Sequence, residues 1–418
     1  MSPALPDLRP VRVTEYGTAD VQLTAQQERI LRHLAQGRIT ITPGDTEGSW
    51  RIKASSYVGT IVTPGVRILI TPKVATANLF YLLEAGGRAL ELGPAAFDYE
   101  QTHDLVPAFA TFYARHFETA LSQGVPRAYR EFQERLTGIR GRIDLAAQQR
   151  LAGLPVPAEC RFDDYTADIP LNRILRAAAI RLLRLPGVTI TTRQALQRLA
   201  AQLGEASPAT PADLRSRTVF TRLNEHCRPA GQLARMVLGD SSLLDAAGTT
   251  GAAVFLIDMN KAFEDFVASR LARYLHGQLH VRSQKPDHLD NDGHVRIKPD
   301  LTFDRHPGLP AYVADSKYKI TNSGFGREAD YYQILAYASA LNLPEGRLIY
   351  CQHDGTAPPQ QIHVRNLSTR LATWALRLDR TPGHLEQELQ ALAADIAQRA
   401  SIGSHEASHA GWPSAPGP

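Results

Sequence analysis

The sequence predicts a multidomain α+β protein, with a β-rich N-terminal module, a helical middle region and a C-terminal α/β domain. Its length of 418 residues exceeds the roughly 100–200 residues of one ordinary domain. Short alternating segments bounded by turn residues dominate residues 1–80, and a helical period of apolar residues dominates residues 81–245. Helix and strand patterns are mixed in residues 246–370. These observations favour several modules over a single core.

Residues 1–80 are predicted to form the β-rich module, which includes one helix. Thr24 and Gln27 have the spacing of a capping box, which would open this helix before Ile30. Alternation of apolar and polar residues predicts strands at 50–53, 57–62 and 66–70, with a hairpin turn at Thr63-Pro64-Gly65. We expect this module to bind a partner or to act as a scaffold.

Residues 81–245 are predicted to be mainly helical. Arginines are frequent between residues 127 and 142, but two glutamates are interleaved with them. This stretch fits a surface that tracks phosphates, a surface that meets an acidic partner, or a solvated helix face. Segments that contain Gly and Pro are expected to separate the helices at 152–157 and 207–211.

Composition argues against several other classes of protein. Apolar runs fall short of the roughly 20 residues that span a bilayer, and the N-terminus carries acids and prolines instead of a secretory signal. The three cysteines lack CxxC spacing. We therefore expect a cytoplasmic protein without membrane contact. The formal charge of +4 permits nucleic-acid binding but does not require it. Residues 371–402 predict a C-terminal helix, and residues 403–418 predict a disordered tail.

Two acidic residues occupy defined places in the C-terminal domain. Glu264 lies at the edge of the apolar stripe of a helix predicted at 256–275. Asp300 directly follows Pro299 in a strand predicted at 295–303, and a proline inside a strand indicates a bulge or an edge. Both carboxylates could therefore face a cleft.

A second acid and a lysine follow on a strand predicted at 311–318. Asp315 and Lys317 are two residues apart, so their side chains project from the same face. Asp300 and Asp315 are suited to bind Mg²⁺, which prefers oxygen ligands and usually takes one or two carboxylates, and Glu264 is a further ligand, direct or through water. Lys317 would orient the attacking water or stabilise charge in phosphodiester hydrolysis. An Asp-x-Lys alone occurs by chance in most chains of this size, so the prediction depends on the whole series.

Four segments together resemble the McrC family, the nuclease subunits of McrBC-type modification-dependent restriction systems. Weaker similarity upstream, at 71–74, 141–144 and 168–173, extends the resemblance over most of residues 10–365. The four segments are Met259-Asn-Lys-Ala-Phe-Glu264, Lys298-Pro-Asp300, Asp315-Ser-Lys-Tyr-Lys319 and Asp330-Tyr-Tyr-Gln333-x-x-x-Tyr337.

This resemblance implies a C-terminal domain of the PD-(D/E)xK restriction-endonuclease-like class and assigns roles to individual residues. It makes Asp300 and Asp315 the metal ligands, for Mg²⁺ or alternatively Mn²⁺, and Lys317 the catalytic lysine. Gln333 and Tyr337 are similar to the helix motif of RecB-like nucleases. We therefore expect an endonuclease subunit that cleaves double-stranded DNA carrying methylcytosine in antiviral defence.

The resemblance also implies a partner, a McrB-like hexameric AAA+ GTPase that reads the modified base and is stimulated by this chain. The sequence contains no GxxxxGK[ST] phosphate loop, so GTP would be bound by the partner. Two alternatives remain at this point. One is a stand-alone RecB-like repair nuclease, and the other is a non-catalytic regulatory subunit.

Overall fold

A computed structural model describes the chain in nine segments and divides it into two compact units. Residues 1–105 and 256–418 form the first unit, and residues 106–255 form the second. The N-terminal module and the C-terminal domain therefore share one unit, whereas the sequence predicted separate modules. The described segments are 10–35, 37–74, 76–84, 104–150, 156–216, 218–239, 253–318, 328–352 and 360–409.

The N-terminal part of the first unit is β-rich, as predicted. The capping box is confirmed, because the Gln27 N–H donates to Thr24 Oγ1 at 3.2 Å and the Thr24 N–H donates to Gln27 Oε1 at 2.9 Å. The predicted hairpin is also confirmed: Thr63 pairs with Val66 across a turn in which Gly65 has φ +86°. The elements are β1 (Val11–Thr14), β2 (Thr18–Gln22), α1 (Ala25–Ala35), β3 (Ile39–Pro43), β4 (Ser49–Ala54), β5 (Tyr57–Thr63), β6 (Val66–Thr71) and α2 (Thr76–Leu83).

The second unit contains mostly helices and also an antiparallel sheet in the order β7-β9-β8, which was not predicted from the sequence. The arginine-rich stretch thus lies on a sheet and its turn, so the helix-face interpretation is wrong. The elements are α3 (Leu105–Leu121), β7 (Ala128–Leu136), β8 (Arg142–Ile143), α4 (Leu145–Gln149), β9 (Ala158–Thr166), α5 (Pro170–Arg184), α6 (Ile190–Gln202), α7 (Pro211–Arg215) and α8 (Arg228–Gly239).

Pairs across strands explain why this stretch is not helical. Phe132 on β7 lies opposite Phe162 on β9, and their rings stack with centroids 5.7 Å apart. The Arg161 guanidinium reaches the Asp144 carboxylate at 2.6 Å. Such contacts join residues distant in sequence and outweigh weak helical propensity.

The carboxylate of Asp168 joins the end of this sheet to α5. Its two oxygens accept hydrogen bonds from Nε and Nη2 of Arg173 at 2.6 and 2.5 Å, from the N–H and Oγ of Ser207 at 2.8 and 3.0 Å, and from Nη1 of Arg130 at 3.2 Å. The hydrogen bonds from Arg173 hold the pKa of Asp168 well below its ordinary range. This carboxylate therefore fixes the start of α5 to two other segments.

The C-terminal part of the first unit is a mixed sheet with helices packed on it. The strand order is β11-β14-β15-β16-β18-β17, and β15, β16 and β18 run parallel. The elements are β10 (Ala253–Asp258), α9 (Met259–Tyr274), β11 (His280–Ser283), β12 (Asp287–His288), β13 (Arg296–Ile297), β14 (Leu301–His306), β15 (Leu309–Lys317), α10 (Glu328–Ala340), β16 (Glu345–Gln352), β17 (Gln361–His363), β18 (Arg370–Arg377) and α11 (Pro382–His409).

Several predicted boundaries in this part are wrong. The helix predicted from 256 begins at Met259, because the preceding residues form β10 in the sheet β1-β6-β5-β10. The C-terminal helix predicted from 371 is preceded by β18, whose apolar residues pair with β16. Residues 403–409, which were predicted to belong to a disordered tail, are part of α11, which ends at His409. Residues 410–418 lie outside the described part of the chain. The buried stripe predicted for α9 is confirmed at Met259, Phe263, Phe266, Val267 and Leu271.

Buried polar contacts join the two parts of the first unit. The Tyr318 hydroxyl donates to Glu15 Oε1 at 2.8 Å, and the Lys73 N–H donates to the same oxygen at 2.7 Å. Asn78 Nδ2 donates to the carbonyl of Leu378 at 2.7 Å. The N-terminal module thus packs directly on the elements that follow β15. In the described part of the chain, the helices are too short or too polar to cross a membrane.

Candidate active site

The alternation of β15 places Asp315 and Lys317 on the same face of the central sheet. Lys317 Nζ lies 2.5 Å from Asp315 Oδ2, and the Asp315 side chain is fully buried between β14 and β16. Asp315 Oδ1 accepts no hydrogen bond from the described residues. A buried carboxylate oxygen without a donor is costly, and its chemistry suits contact with a cation.

Asp300 reaches the same place from an interruption in the neighbouring strand. The predicted strand 295–303 is in fact split into β13 and β14, and Pro299 and Asp300 lie between them. Pairing of Leu301 with Ala314 places Pro299 opposite Ser316, where proline has no N–H to donate. The Ser316 N–H instead donates to Asp300 Oδ2 at 2.9 Å. The irregularity that Pro299 introduces therefore turns the Asp300 carboxylate towards β15.

Glu264 approaches this pair of acids from α9. Burial, and then repulsion from Asp300, raise the pKa of Glu264 to about 7. The same two causes raise the pKa of Asp315 to about 7. Burial alone would lower the pKa of Lys317, but the carboxylates of Asp315 and Asp300 keep it above its ordinary value. The site thus holds three carboxylates, of which Asp300 repels both Glu264 and Asp315, and one partly buried ammonium group beside them.

Two further residues of the site were not predicted as functional from the sequence. Gln284 Nε2 donates to Glu264 Oε2 at 3.2 Å, and Lys298 Nζ donates to Gln284 Oε1 at 2.9 Å. The Gln284 N–H also donates to the carbonyl of Asp300 at 2.9 Å. Gln284 has no motif signal. The only signal for Lys298 was its position two residues before Asp300.

Gln333 and Tyr337 lie one turn apart on α10 and contact the backbone beside the acids. Gln333 Nε2 donates to the Tyr337 hydroxyl at 2.6 Å, and that hydroxyl donates to the carbonyl of Lys298 at 3.2 Å. Their contacts hold the segment that carries Asp300. They are placed to position this segment and show no hydrogen bond to a carboxylate of the site.

A separate group of ligand-type side chains lies in the turn between β12 and β13. Ligand atoms of Asp290, Asp292 and His294 all lie within 4.8 Å of one another. The carboxylate of Asp290 accepts hydrogen bonds from the N–H groups of His294 and Val295 at 3.0 and 2.7 Å. The closure of the turn accounts for this grouping.

The fold and the site define a class of mixed α/β protein in which carboxylates and a lysine meet where a strand is interrupted. The particular family follows from comparison with known proteins. The chain belongs to the family of McrBC 5-methylcytosine restriction system components, whose model matches residues 52–351, more than half of the 418 residues. The McrC resemblance predicted from the sequence is confirmed at this level. No curated protein gives a significant match.

Two solved structures are similar to this chain. One is described as a refined half-complex from a tetradecameric assembly of Thermococcus gammatolerans McrB AAA+ hexamers with bound McrC. The match has a TM-score of 0.51 and 16% identity, and it covers 93% of this chain and 100% of that chain. The other is the cryo-EM structure of the Thermococcus gammatolerans McrBC complex, with a TM-score of 0.40, 22% identity, and coverage of 64% and 88%. The first match shows that the α+β fold is shared.

Proposed function

We propose that this chain is the Mg²⁺-dependent endodeoxyribonuclease subunit of a methylcytosine-dependent restriction system, and that its C-terminal part is a PD-(D/E)xK domain. The observation that carries the proposal is the buried Asp315 carboxylate, which has one oxygen without a hydrogen-bond donor and the other 2.5 Å from Lys317. Excess negative charge and hard oxygen ligands together suit a hard divalent cation. Membership of the McrBC family supports the restriction context.

The donor set fits the metal that the proposal requires. Asp300 and Asp315 would hold Mg²⁺, or alternatively Mn²⁺, with Glu264 as a third ligand, direct or through water. When bound, the ion supplies charge stabilisation at the phosphate and lowers the pKa of a bound water. Binding a cation would also relieve the repulsion that raises the pKa values of Glu264 and Asp315.

Lys317 would then act on the substrate directly. Its ammonium group lies beside Asp315 and is held in its charged form by the surrounding acids. It would orient the attacking water and stabilise negative charge that develops on the phosphate oxygens. Gln333 and Tyr337 would keep the segment at Lys298 in place, and through it Asp300.

We further propose that a McrB-like AAA+ GTPase hexamer is the partner. The similar structure of known composition contains McrB hexamers with bound McrC. This chain has no phosphate loop of its own, so GTP would bind to the partner, and recognition of the modified base in double-stranded DNA is assigned there as well. We expect the chain to act in the cytoplasm.

A pair of variants tests the proposed site. Asp315→Asn should reduce cleavage of methylated plasmid, in the presence of the partner, GTP and Mg²⁺, by at least about 100-fold, because it removes a metal ligand. Asp304→Asn is the matched control, since Asp304 is also fully buried in the same sheet but pairs with Arg282 at 2.9 Å. Equal cleavage by the two variants would contradict the assignment.

A further inference from the structure

Lys298 is an exposed lysine at the border of the carboxylate cluster, and its amino group is held in place by a neutral group. Nζ donates to Gln284 Oε1 at 2.9 Å. In the described part of the chain, no carboxylate oxygen lies within ion-pair distance of it. The two nearby lysines differ, because Lys261 pairs with Asp265 at 3.0 Å and Lys317 pairs with Asp315 at 2.5 Å. Among the residues that the structure describes, Lys298 therefore carries a positive charge that no acid pairs with.

Gln284 fixes this ammonium group through the orientation of its amide. Because Nε2 donates to Glu264, the amide oxygen is turned towards Lys298. Gln284 also has φ +50°, a left-handed conformation that is uncommon for residues other than glycine, and its N–H donates to the carbonyl of Asp300. Strained backbone conformations of this kind concentrate at functional sites. Gln284 thus connects three elements: its side chain contacts the acid of α9 and the lysine, and its backbone N–H contacts the segment of Asp300.

The backbone of Lys298 is fixed as well. Its carbonyl accepts the hydroxyl hydrogen bond of Tyr337 at 3.2 Å, and the next residue is a buried proline with restricted φ. Side chains on exposed lysines normally lose much rotamer freedom when they bind a ligand. Lys298 has lost part of that freedom already, which prepares its ammonium group for a ligand.

The chemistry of the group identifies the ligand. An ammonium group has three N–H donors, and Gln284 accepts one of them. Because the residue is exposed, the remaining donors suit a phosphate oxygen. Gln284 accepts from the Lys298 ammonium group and donates to Glu264, so the ammonium group lies at the border of the carboxylate cluster.

We propose that Lys298, held by Gln284, forms a phosphate-binding subsite that receives the DNA backbone phosphate next to the one that is cleaved. The proposal rests on the proposed nuclease function and extends it to the path of the DNA strand. Gln284 is a positioning residue in this arrangement, and Lys298 is the residue that contacts the nucleic acid.

The salt dependence of DNA binding tests the subsite without requiring cleavage. The purified full chain is titrated into a fluorescein-labelled methylated duplex with Ca²⁺ in place of Mg²⁺, and anisotropy gives Kd between 50 and 300 mM KCl. Each phosphate contact contributes a slope of about −0.9 to the plot of log K against log salt. Lys298→Met should therefore reduce the magnitude of the slope by about 1 and weaken binding at low salt.

Lys261→Met is the matched control, because its ammonium group is already paired with Asp265. It should leave the slope unchanged within about 0.3 of the value for the wild-type chain. Any of three results would overturn the subsite. The slope of Lys298→Met could equal that of the wild-type chain, the two variants could lose equal DNA affinity, or the wild-type chain could fail to bind the duplex.

Gln284→Ala separates positioning from a general effect on the fold. It should weaken DNA binding in the wild-type chain but have no further effect in the Lys298→Met background, since the group that it positions is gone. If the two substitutions together reduce DNA affinity by the sum of their separate effects, Gln284 does not act through Lys298. The two proposals can fail separately. Normal cleavage with an unchanged slope would contradict only the subsite. A reduced slope in a chain that never cleaves would contradict the nuclease function and leave Lys298 as a phosphate contact without a neighbouring cleavage site.

Discussion

Removal of the Asp168 carboxylate should destabilise the second compact unit far more than loss of an ordinary surface ion pair. Its two oxygens accept five hydrogen bonds from three residues, Arg173, Ser207 and Arg130. The Asp168 side chain is 21% exposed and that of Arg173 is 14% exposed. In Asp168→Ala these donors lose the carboxylate: Arg130 keeps the backbone carbonyl of residue 168, and among the described residues the Arg173 guanidinium keeps Asp213, at 3.5 Å.

The expected loss of unfolding free energy is about 3 kcal/mol. Removing one partner of a buried ion pair costs about 3–5 kcal/mol, because the other charge remains buried. Asp168 is one-fifth exposed, so solvent screening places its value at the lower end of that range. Asp164→Ala is the control, since its pair with Arg140 at 3.0 Å involves side chains that are 44% and 53% exposed. That variant should lose less than about 1 kcal/mol.

Urea unfolding followed by circular dichroism at 222 nm measures both variants. With a slope of about 1–3 kcal/mol per M urea, the midpoint for Asp168→Ala should fall by about 1–2 M. The three tryptophans lie outside residues 106–255, so their fluorescence provides an internal reference for the other unit. A difference between the two variants of less than about 1 kcal/mol would refute the reasoning.

The effect should also depend on pH in a defined direction. The folded pKa of Asp168 is lowered, first by the hydrogen bonds from Arg173. The stabilisation is therefore fully present above the unfolded value of about 3.9 and is lost as pH falls below it. The difference in unfolding free energy between the wild-type chain and Asp168→Ala should therefore decrease on acidification below about pH 4. If this difference in unfolding free energy stays constant from neutral pH down to pH 3, the effect does not have an ionic origin.

Three further predictions concern the first unit. Tyr318→Phe should lower the unfolding free energy by about 1–3 kcal/mol, because the buried Glu15 loses its phenol donor. Tyr332→Phe is the control, since that side chain is 68% exposed, and it should have almost no effect in the same urea titration. Thr24→Ala should cost about 1 kcal/mol through loss of the helix cap, and chemical denaturation that shows no change would argue against the cap. Mg²⁺ at about ten times its Kd should stabilise the wild-type chain by about 1.4 kcal/mol, seen as a higher Tm by differential scanning fluorimetry. Asp315→Asn should abolish that shift, and a shift of equal size in the variant would place the metal elsewhere.

Local features of the fold were accessible from the sequence because their causes lie within a few residues. The capping box at Thr24 and the turn at Gly65 depend on short-range hydrogen bonds and backbone conformation. The common face of Asp315 and Lys317 follows from the two-residue period of a strand. The irregularity at Pro299 was likewise indicated by a proline inside a strand pattern.

Features that depend on distant residues were not accessible. The β7-β9-β8 sheet depends on pairs such as Phe132 with Phe162, thirty positions apart in the sequence, and β18 is a strand because β16 lies beside it. The role of Gln284 depends on Glu264 and Lys298, which approach it from separate elements. An exposed glutamine and a functional one look the same until the fold brings such partners together.

The most direct test of the proposed function is cleavage of methylated and unmethylated plasmid by the purified chain in Mg²⁺, with and without a McrB-like GTPase and GTP. The proposal predicts cleavage only when the partner, GTP and methylation are all present, and loss of that cleavage in Asp315→Asn. Efficient cleavage by the chain alone would instead indicate a stand-alone repair nuclease. The absence of cleavage under every condition, with GTP hydrolysis by the partner still stimulated, would contradict a catalytic role and indicate a regulatory subunit.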